Sequence, residues 1–474
     1  MGDIVFENHH REPRRQTFII PLTYSDISLG ATEIQRISYG GDIWEMRVDL
    51  LSPSMEPLGS SNLPPLHMFG TKFNYFSGGK FPDTAEEEAL ALMLMAVEEG
   101  CHYMDVEIEW SRGLIDTLVA KKRNTKLVAS FHGWTGEIRW TSDTLQEKYA
   151  LADTFGDIIK LSILSVDVYD CHELALFVKK HLAESPKPLL AVGMGQHGQL
   201  SRVLSPISLV THKLLPAPSA PGQLTLAEVH TAQHLVGQLP SREYAVVGPE
   251  QSGEIVGSIL QAGFREIGLP HSCNFLRDGK VFPQAIQKPK FGGAATASFT
   301  GFNRQDFPGD ISEDAQSIGS VDTILLKHPN TASKPALTCG YVGDDPVAVR
   351  SACLAAEKIG YKTVQLLESN LIQSVAADFP GLDFASQKSQ PSLVICCTKS
   401  AEYSSKHVLS RLLSDSPAGV LVDFSEESVS AKVVSANPGW KVVGKRELLA
   451  TRACLLFSAW TGRRAPEVVM REVA

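Results

Sequence analysis

The sequence has no CxxC pair and no Cys/His cluster; its eight cysteines, at 101, 171, 273, 339, 353, 396, 397 and 454, are scattered along the chain. That spacing argues against a zinc site or a disulfide framework and points to reduced, mostly structural thiols, so no metal is expected. No run of eighteen apolar residues occurs, and Met1 to Arg15 is polar, without the apolar centre of a signal peptide. An intracellular protein, cytoplasmic or nuclear and without membrane contact, is the expectation. Basic charge is also in short supply. Lys and Arg number 44 against 53 Asp and Glu, for a net charge of -9, and direct binding to nucleic acid is therefore not expected. There is no G-x-x-x-x-G-K-S/T phosphate loop, internal repeat or low-complexity tract.

What is present is enough apolar sequence for more than one core. With 474 residues and 43% apolar content, the chain should form two or three domains. Short β-rich runs in the first half predict eight strands, at 17–22, 43–48, 66–70, 103–107, 126–131, 157–162, 188–193 and 207–211. Helical spacing separates them, as in Ala85 to Glu99 and Ser142 to Phe155. This alternation predicts an α/β fold, a (β/α)8 TIM barrel, whose chemistry sits at the C-terminal ends of the strands. A break is expected near Gln238 to Glu243, where the helical stretch Leu226 to Val236 gives way to the strand Tyr244 to Val247. The predicted organisation is a polar tail over 1–14, a barrel over 15–238, a second α/β domain over 239–333 and a third over 334–474.

Charged residues at the expected strand ends form a coherent set: Glu45 and Arg47, His132, Lys160, and Arg202 after Gly-Gln-Leu-Ser. Alternation puts Glu45 and Arg47 on one face, where such a pair is more often a structural ion pair than a ligand site. Lys160 ends an apolar strand. Burial beside other cations would lower its pKa and free the amine to attack a ketone, and His132 on the preceding strand favours that over a surface lysine.

Over residues 15–238 the chain resembles the type I 3-dehydroquinate dehydratases. The segments that carry the resemblance are E-M-R-V-D-L-L (45–51), S-G-G-K-F-P-D (77–83), S-F-H-G-W-T-G (130–136), G-D-I-I-K (156–160), G-Q-L-S-R (198–202) and L-L-P-A-P-S-A-P-G-Q-L (214–224). The resemblance implies that Lys160 forms an imine with the substrate ketone, while His132 removes the adjacent proton and assists loss of water. It further implies that Arg202, Ser219 and Gln223 surround the substrate carboxylate and that Glu45 and Arg47 reach ring hydroxyls. Three positions depart from the family pattern. Phe73 replaces a substrate-binding arginine, for which Lys72 is the candidate substitute; Ser77 replaces the acid or amide that steadies the histidine; and Gly133 replaces an aspartate after it. These departures predict a histidine without its usual partners, and dehydration that is slow or absent.

From about residue 243 the chain resembles shikimate dehydrogenase, in A-V-V-G-P (245–249), A-G-F-R-E-I-G-L-P-H (262–271), I-G-S-V-D-T-I (318–324) and the final F-S-A-W-T-G-R (457–463). That resemblance implies a substrate-domain fold followed by a Rossmann-like domain. The catalytic positions do not follow: the family's paired serines fall at Glu254 and Val256, its lysine at Thr300, an asparagine at Asp322 and a glutamine at Arg452. The stretch where the nucleotide loop should lie reads Gly340-Tyr341-Val342-Gly343-Asp344-Asp345-Pro346, and two aspartates there oppose a pyrophosphate. No cofactor is expected.

A mostly intact barrel joined to an eroded dehydrogenase is similar to the fungal quinate repressors, which are themselves similar to the last three domains of the pentafunctional aromatic-biosynthesis protein. The resemblance implies a regulator that senses 3-dehydroquinate or a related metabolite in the barrel and acts on a transcriptional activator protein. The alternative is an active dehydratase carrying an inactive dehydrogenase. The repressors normally begin with a shikimate-kinase-like domain, whose Gly-x-x-x-x-Gly-Lys-Ser/Thr loop does not occur in this sequence, and a homodimer is one expected assembly.

Overall fold

The computed structural model describes residues 16–27, 31–51, 67–70, 84–248, 250–276, 288–296 and 439–474, together with short segments between 302 and 423. The chain folds as two compact units, one of residues 1–240 with 265–270 and the other of 241–264 with 271–474. The expected boundary at 333 and 334 lies outside the described residues.

Eight strands build the first unit: β1 Thr17–Leu22, β2 Ile43–Arg47, β3 His67–Gly70, β4 Tyr103–Glu107, β5 Lys126–Gly133, β6 Ile158–Leu164, β7 Leu189–Met194 and β8 Ile207–Leu209. Their order in the sheet is β7-β6-β5-β4-β3-β2-β1-β8, every ladder is parallel, and β7 and β8 lie against each other, so the sheet curls into a barrel. Each strand matches a run expected from the sequence, with ends that move by a residue or two. Such shifts are normal where a ladder hands over to a loop.

Period-two alternation divides the apolar residues between two cores. Ile19, Ile43, Tyr103, Val128, Ile158, Leu190 and Leu209 meet inside the barrel. Met104, Val106, Leu127, Phe131, Ile159 and Leu161 face outward to the helices. The helices bury the matching stripes. Helix Glu86–Glu98 turns Ala89, Met93, Ala96 and Val97 inward, and helix Asp170–Glu184 turns in Leu174, Phe177 and Val178. Local signals set several starts: the Ser111 and Ser142 hydroxyls accept from the backbones of Leu114 and Leu145, and Thr225 with Glu228 forms a capping box before helix Leu226–Leu235.

In the second unit, β9 Glu243–Val247 lies parallel to both β10 Ser272–Leu276 and β11 Phe291–Thr296, and Thr323–Leu325 pairs antiparallel with β11. A further parallel sheet joins Leu393–Cys396, Gly419–Asp423 and Trp440–Val443. Helix Glu250–Glu266 and the final helices Lys445–Thr461 and Glu467–Val473 complete its described part.

Candidate active site

The same alternation that fills the barrel builds the site above the filling. On four strands an apolar residue on the inward face is followed, at steps of two, by polar ones: Ile43-Glu45-Arg47, Tyr103-Asp105-Glu107, Val128-Ser130-His132 and Ile158-Lys160-Ser162. Parallel register sets them side by side, with Glu107 opposite Ser130, Ser130 opposite Lys160 and His132 opposite Ser162. All of these polar residues are buried. Taken out of water, they must satisfy one another or a ligand.

Lys160 is 1% exposed, with its amine hydrogen-bonded to Asp105 and 3.7 Å from Glu45 Oε1. Ser130 Oγ holds the other oxygen of Asp105. Burial alone would lower the lysine pKa, but the charges of Asp105 and Glu45, the Asp105 hydrogen bond and the charge of Glu107 outweigh it and raise the pKa above the ordinary lysine value. The expectation of a lysine depressed by neighbouring cations is overturned. Its near neighbours are carboxylates.

His132 is steadied after all. Its Nδ1 lies 2.9 and 3.0 Å from the two carboxylate oxygens of Glu107. A carboxylate can only accept, so this pairing puts a proton on Nδ1 and leaves Nε2 for proton transfer. Gly133 has the parity of Phe131, which faces the helical layer, and a Cβ there would sit 3.2 Å from Ile163. An aspartate at 133 would share neither the face nor the pocket of His132, so its absence does not cost the histidine its partner. Sequence reasoning missed Asp105, Glu107 and Ser130. Two acids at a spacing of two in Tyr-Met-Asp-Val-Glu were the available signal, the same one that singled out Glu45 and Arg47.

Glu45 and Arg47 share the inward face of β2 as expected, but they do not pair as the two halves of one ion pair. Glu45 faces Lys160, whereas Arg47 makes a two-pronged bridge to Asp49, both contacts 2.7 Å, and its Nη1 donates to the Ser219 carbonyl at 3.4 Å. Beside Arg47 a cavity of about 510 Å³ opens, lined by Thr23, Tyr24, Ala217, Pro218 and Ser219 among others.

Arg202 lies in the short helix Gln199–Leu204 that follows β7, 2% exposed. Its Nη1 donates to the Leu209 carbonyl at 3.1 Å and its Nη2 reaches the Pro221 carbonyl at 3.5 Å. Burial pushes the guanidinium down to about 10, against a smaller opposing contribution from Cys171. Ser219 enters through its backbone, its N–H donating to Gln223 Oε1 at 2.7 Å. The buried polar atoms of the described residues that lack a hydrogen-bond partner include Glu45 Oε1, Arg202 Nε and Gln223 Nε2. These three belong to residues expected to touch substrate. Lys72, Phe73 and Ser77 lie outside the described residues.

In the second unit Glu254 is exposed and Val256 buried on helix Glu250–Glu266, and neither carries the hydroxyl of a serine. Arg452 is buried, with Nη2 donating to Thr296 Oγ1 at 3.3 Å at the end of β11. Thr300, Asp322 and the segment 340–346 lie outside the described residues. Among the described residues, no helix is long and apolar enough to cross a membrane.

A parallel (β/α)8 barrel with a buried lysine and a carboxylate-held histidine inside its C-terminal half defines the class of the first unit, and comparison with known proteins makes it specific. Residues 18–240 match the type I 3-dehydroquinase family. Over this stretch, a little under half of the chain, the sequence is similar to the type I 3-dehydroquinases, and the chain as a whole has the fold of a dehydroquinase domain plus a shikimate dehydrogenase-like part. Along its length it is similar to the pentafunctional AROM polypeptide of Mycosarcoma maydis, 28% identical over 562 residues that cover 100% of this chain and 33% of that one. It spans about a third of the length of that curated relative. A solved structure, dehydroquinate dehydratase and shikimate dehydrogenase from S. pombe AroM, superposes with a TM-score of 0.80 at 23% identity, covering 97% of this chain and 98% of that one. That likeness shows the two-part α/β fold.

Proposed function

We propose that the barrel binds 3-dehydroquinate or a closely related hydroxy keto acid through an imine on Lys160, and that His132 then dehydrates it. The observation that carries this reading is the pairing of Lys160 with Asp105 and Glu45, and of His132 with Glu107, on the inward faces of neighbouring strands of the barrel. The lysine must first lose a proton, and Asp105 is in place to take it. The neutral amine attacks the ketone carbon, and the adduct loses water to give the imine. His132 Nε2 removes a proton from the neighbouring carbon, the electron pair moves toward the imine to give an enamine, and as that pair returns the hydroxyl one carbon further on takes the proton from His132 and leaves as water. Hydrolysis of the imine releases the conjugated ketone and restores the lysine. Arg202, Ser219 and Gln223 would receive the carboxylate, and Glu45 and Arg47 the ring hydroxyls. The buried nitrogens of Arg202 and Gln223 that lack a hydrogen-bond partner among the described residues support the carboxylate assignment.

A second reading uses the same pocket for sensing. Here the chain is a regulator of quinate metabolism that holds the metabolite and acts on a transcriptional activator. The departures at Phe73, Ser77, Glu254 and Val256 favour it, since they remove groups a bifunctional enzyme would need. Incubation with 3-dehydroquinate and borohydride decides between the two. Mass added at Lys160 together with rising absorbance of the conjugated product supports the enzyme. Mass without turnover supports the sensor, and absence of both overturns the two readings together.

A further inference from the structure

The segment leading to Ser219 is tied to the end of β1 by two side chains that neither the sequence motifs nor the proposed chemistry assigns. Thr23 is buried, and its Oγ1 donates to the Ala217 carbonyl at 2.6 Å while accepting from the Ala217 N–H at 3.4 Å. The neighbouring Tyr24 hydroxyl donates to the Leu214 carbonyl at 2.9 Å. Pro216, Ala217 and Pro218 are exposed and no regular ladder holds this stretch, in which Leu215 is the one buried residue. Beyond it, the turn is fixed from other sides: Arg47 Nη1 reaches the Ser219 carbonyl, Gln223 Oε1 accepts from Ser219 N–H, and Gly195 N–H donates to the Pro221 carbonyl at 3.1 Å. Those contacts come from residues that a ligand would engage or from Gly195 at the end of β7. The two from Thr23 and Tyr24 do not.

We propose that Thr23 and Tyr24 are positioning residues that clamp the 214–219 segment to the end of β1, so that the Ser219–Gln223 turn stands ready for the carboxylate end of the ligand. The clamp rests on the keto-acid reading for its functional meaning, not for its existence. A preformed turn spares the ligand the entropy of ordering it, so loss of the clamp weakens binding more than it slows the chemistry at Lys160.

The test measures borohydride trapping of 3-dehydroquinate on the full chain as a function of ketone concentration. Thr23→Val and Tyr24→Phe should each raise the half-saturating concentration about threefold to tenfold, the worth of one hydrogen bond, with the limiting rate little changed. Thr23→Ser, which keeps the hydroxyl, should restore it. Limited trypsin digestion reads the clamp without ligand, because exposed Lys213 adjoins it: both clamp variants should be cut faster after Lys213. If trapping by Thr23→Val and Tyr24→Phe half-saturates at the wild-type concentration, the proposal is overturned. If the wild type traps nothing, the keto-acid reading falls by itself, and an unchanged rate of cleavage after Lys213 then overturns the clamp.

Discussion

At the scale of single residues, the site depends on which charges burial brings together. Asp105 sets the state of Lys160. Because the folded lysine pKa is raised, the ion pair stabilises the fold fully below the ordinary lysine pKa, and this contribution is lost as pH climbs through the raised folded value. Asp105→Asn should therefore lower thermal stability at neutral pH by about 1.5–3 kcal/mol, the range for a hydrogen bond to a charged group. It should also move the rise of borohydride trapping to lower pH, since the amine then loses its proton more readily. A trapping profile against pH that does not move would show that Asp105 does not hold the lysine proton. The sequence named Lys160 and His132 correctly as neighbours on adjoining strands but misjudged their surroundings. Motif reading looked for the steadying groups at 77 and 133, next to the histidine or in a preceding loop. Glu107, from a different strand, takes that place.

At the scale of elements, the strand pattern carries two messages at once. The inward positions of β2, β4, β5 and β6 change from apolar to polar along their length, so one alternation specifies both a barrel filling and a reactive layer above it. Loops obey other constraints. Gly222 has φ of 76°, and a Cβ there would come within 2.1 Å of the Gly195 carbonyl oxygen. Only glycine fits that close backbone approach. Gly222→Ala should lower the melting temperature and weaken ketone trapping, because the Ser219–Gln223 turn must move off the end of β7. Thermal unfolding and trapping measured on the same variant check this, and an unchanged half-saturating concentration would sever the turn from ligand binding. The eight strands were legible because parallel, doubly covered strands are apolar runs of limited length. The contacts of Thr23 and Tyr24 were not, since they join residues nearly two hundred positions apart.

At the scale of the whole molecule, two α/β units share one chain. The barrel keeps a lysine, a histidine and their carboxylates. The second unit keeps a shikimate dehydrogenase-like fold, while Glu254 and Val256 replace the expected serines and two aspartates stand in the expected nucleotide loop. The intact protein mixed with NADPH and 3-dehydroshikimate should show no loss of nicotinamide absorbance above the enzyme-free rate. Steady oxidation of NADPH would reverse the reading of the second unit. The sequence by itself determined the strand count of the barrel and the placing of Lys160 and His132 on adjoining strands, because these rest on periodicity and residue type. Only the tertiary structure decided the electrostatic state of the site. Whether Lys160 meets cations or carboxylates, and whether His132 has a partner, depends on strand register and on which face each side chain takes, and those are fixed when the sheet closes.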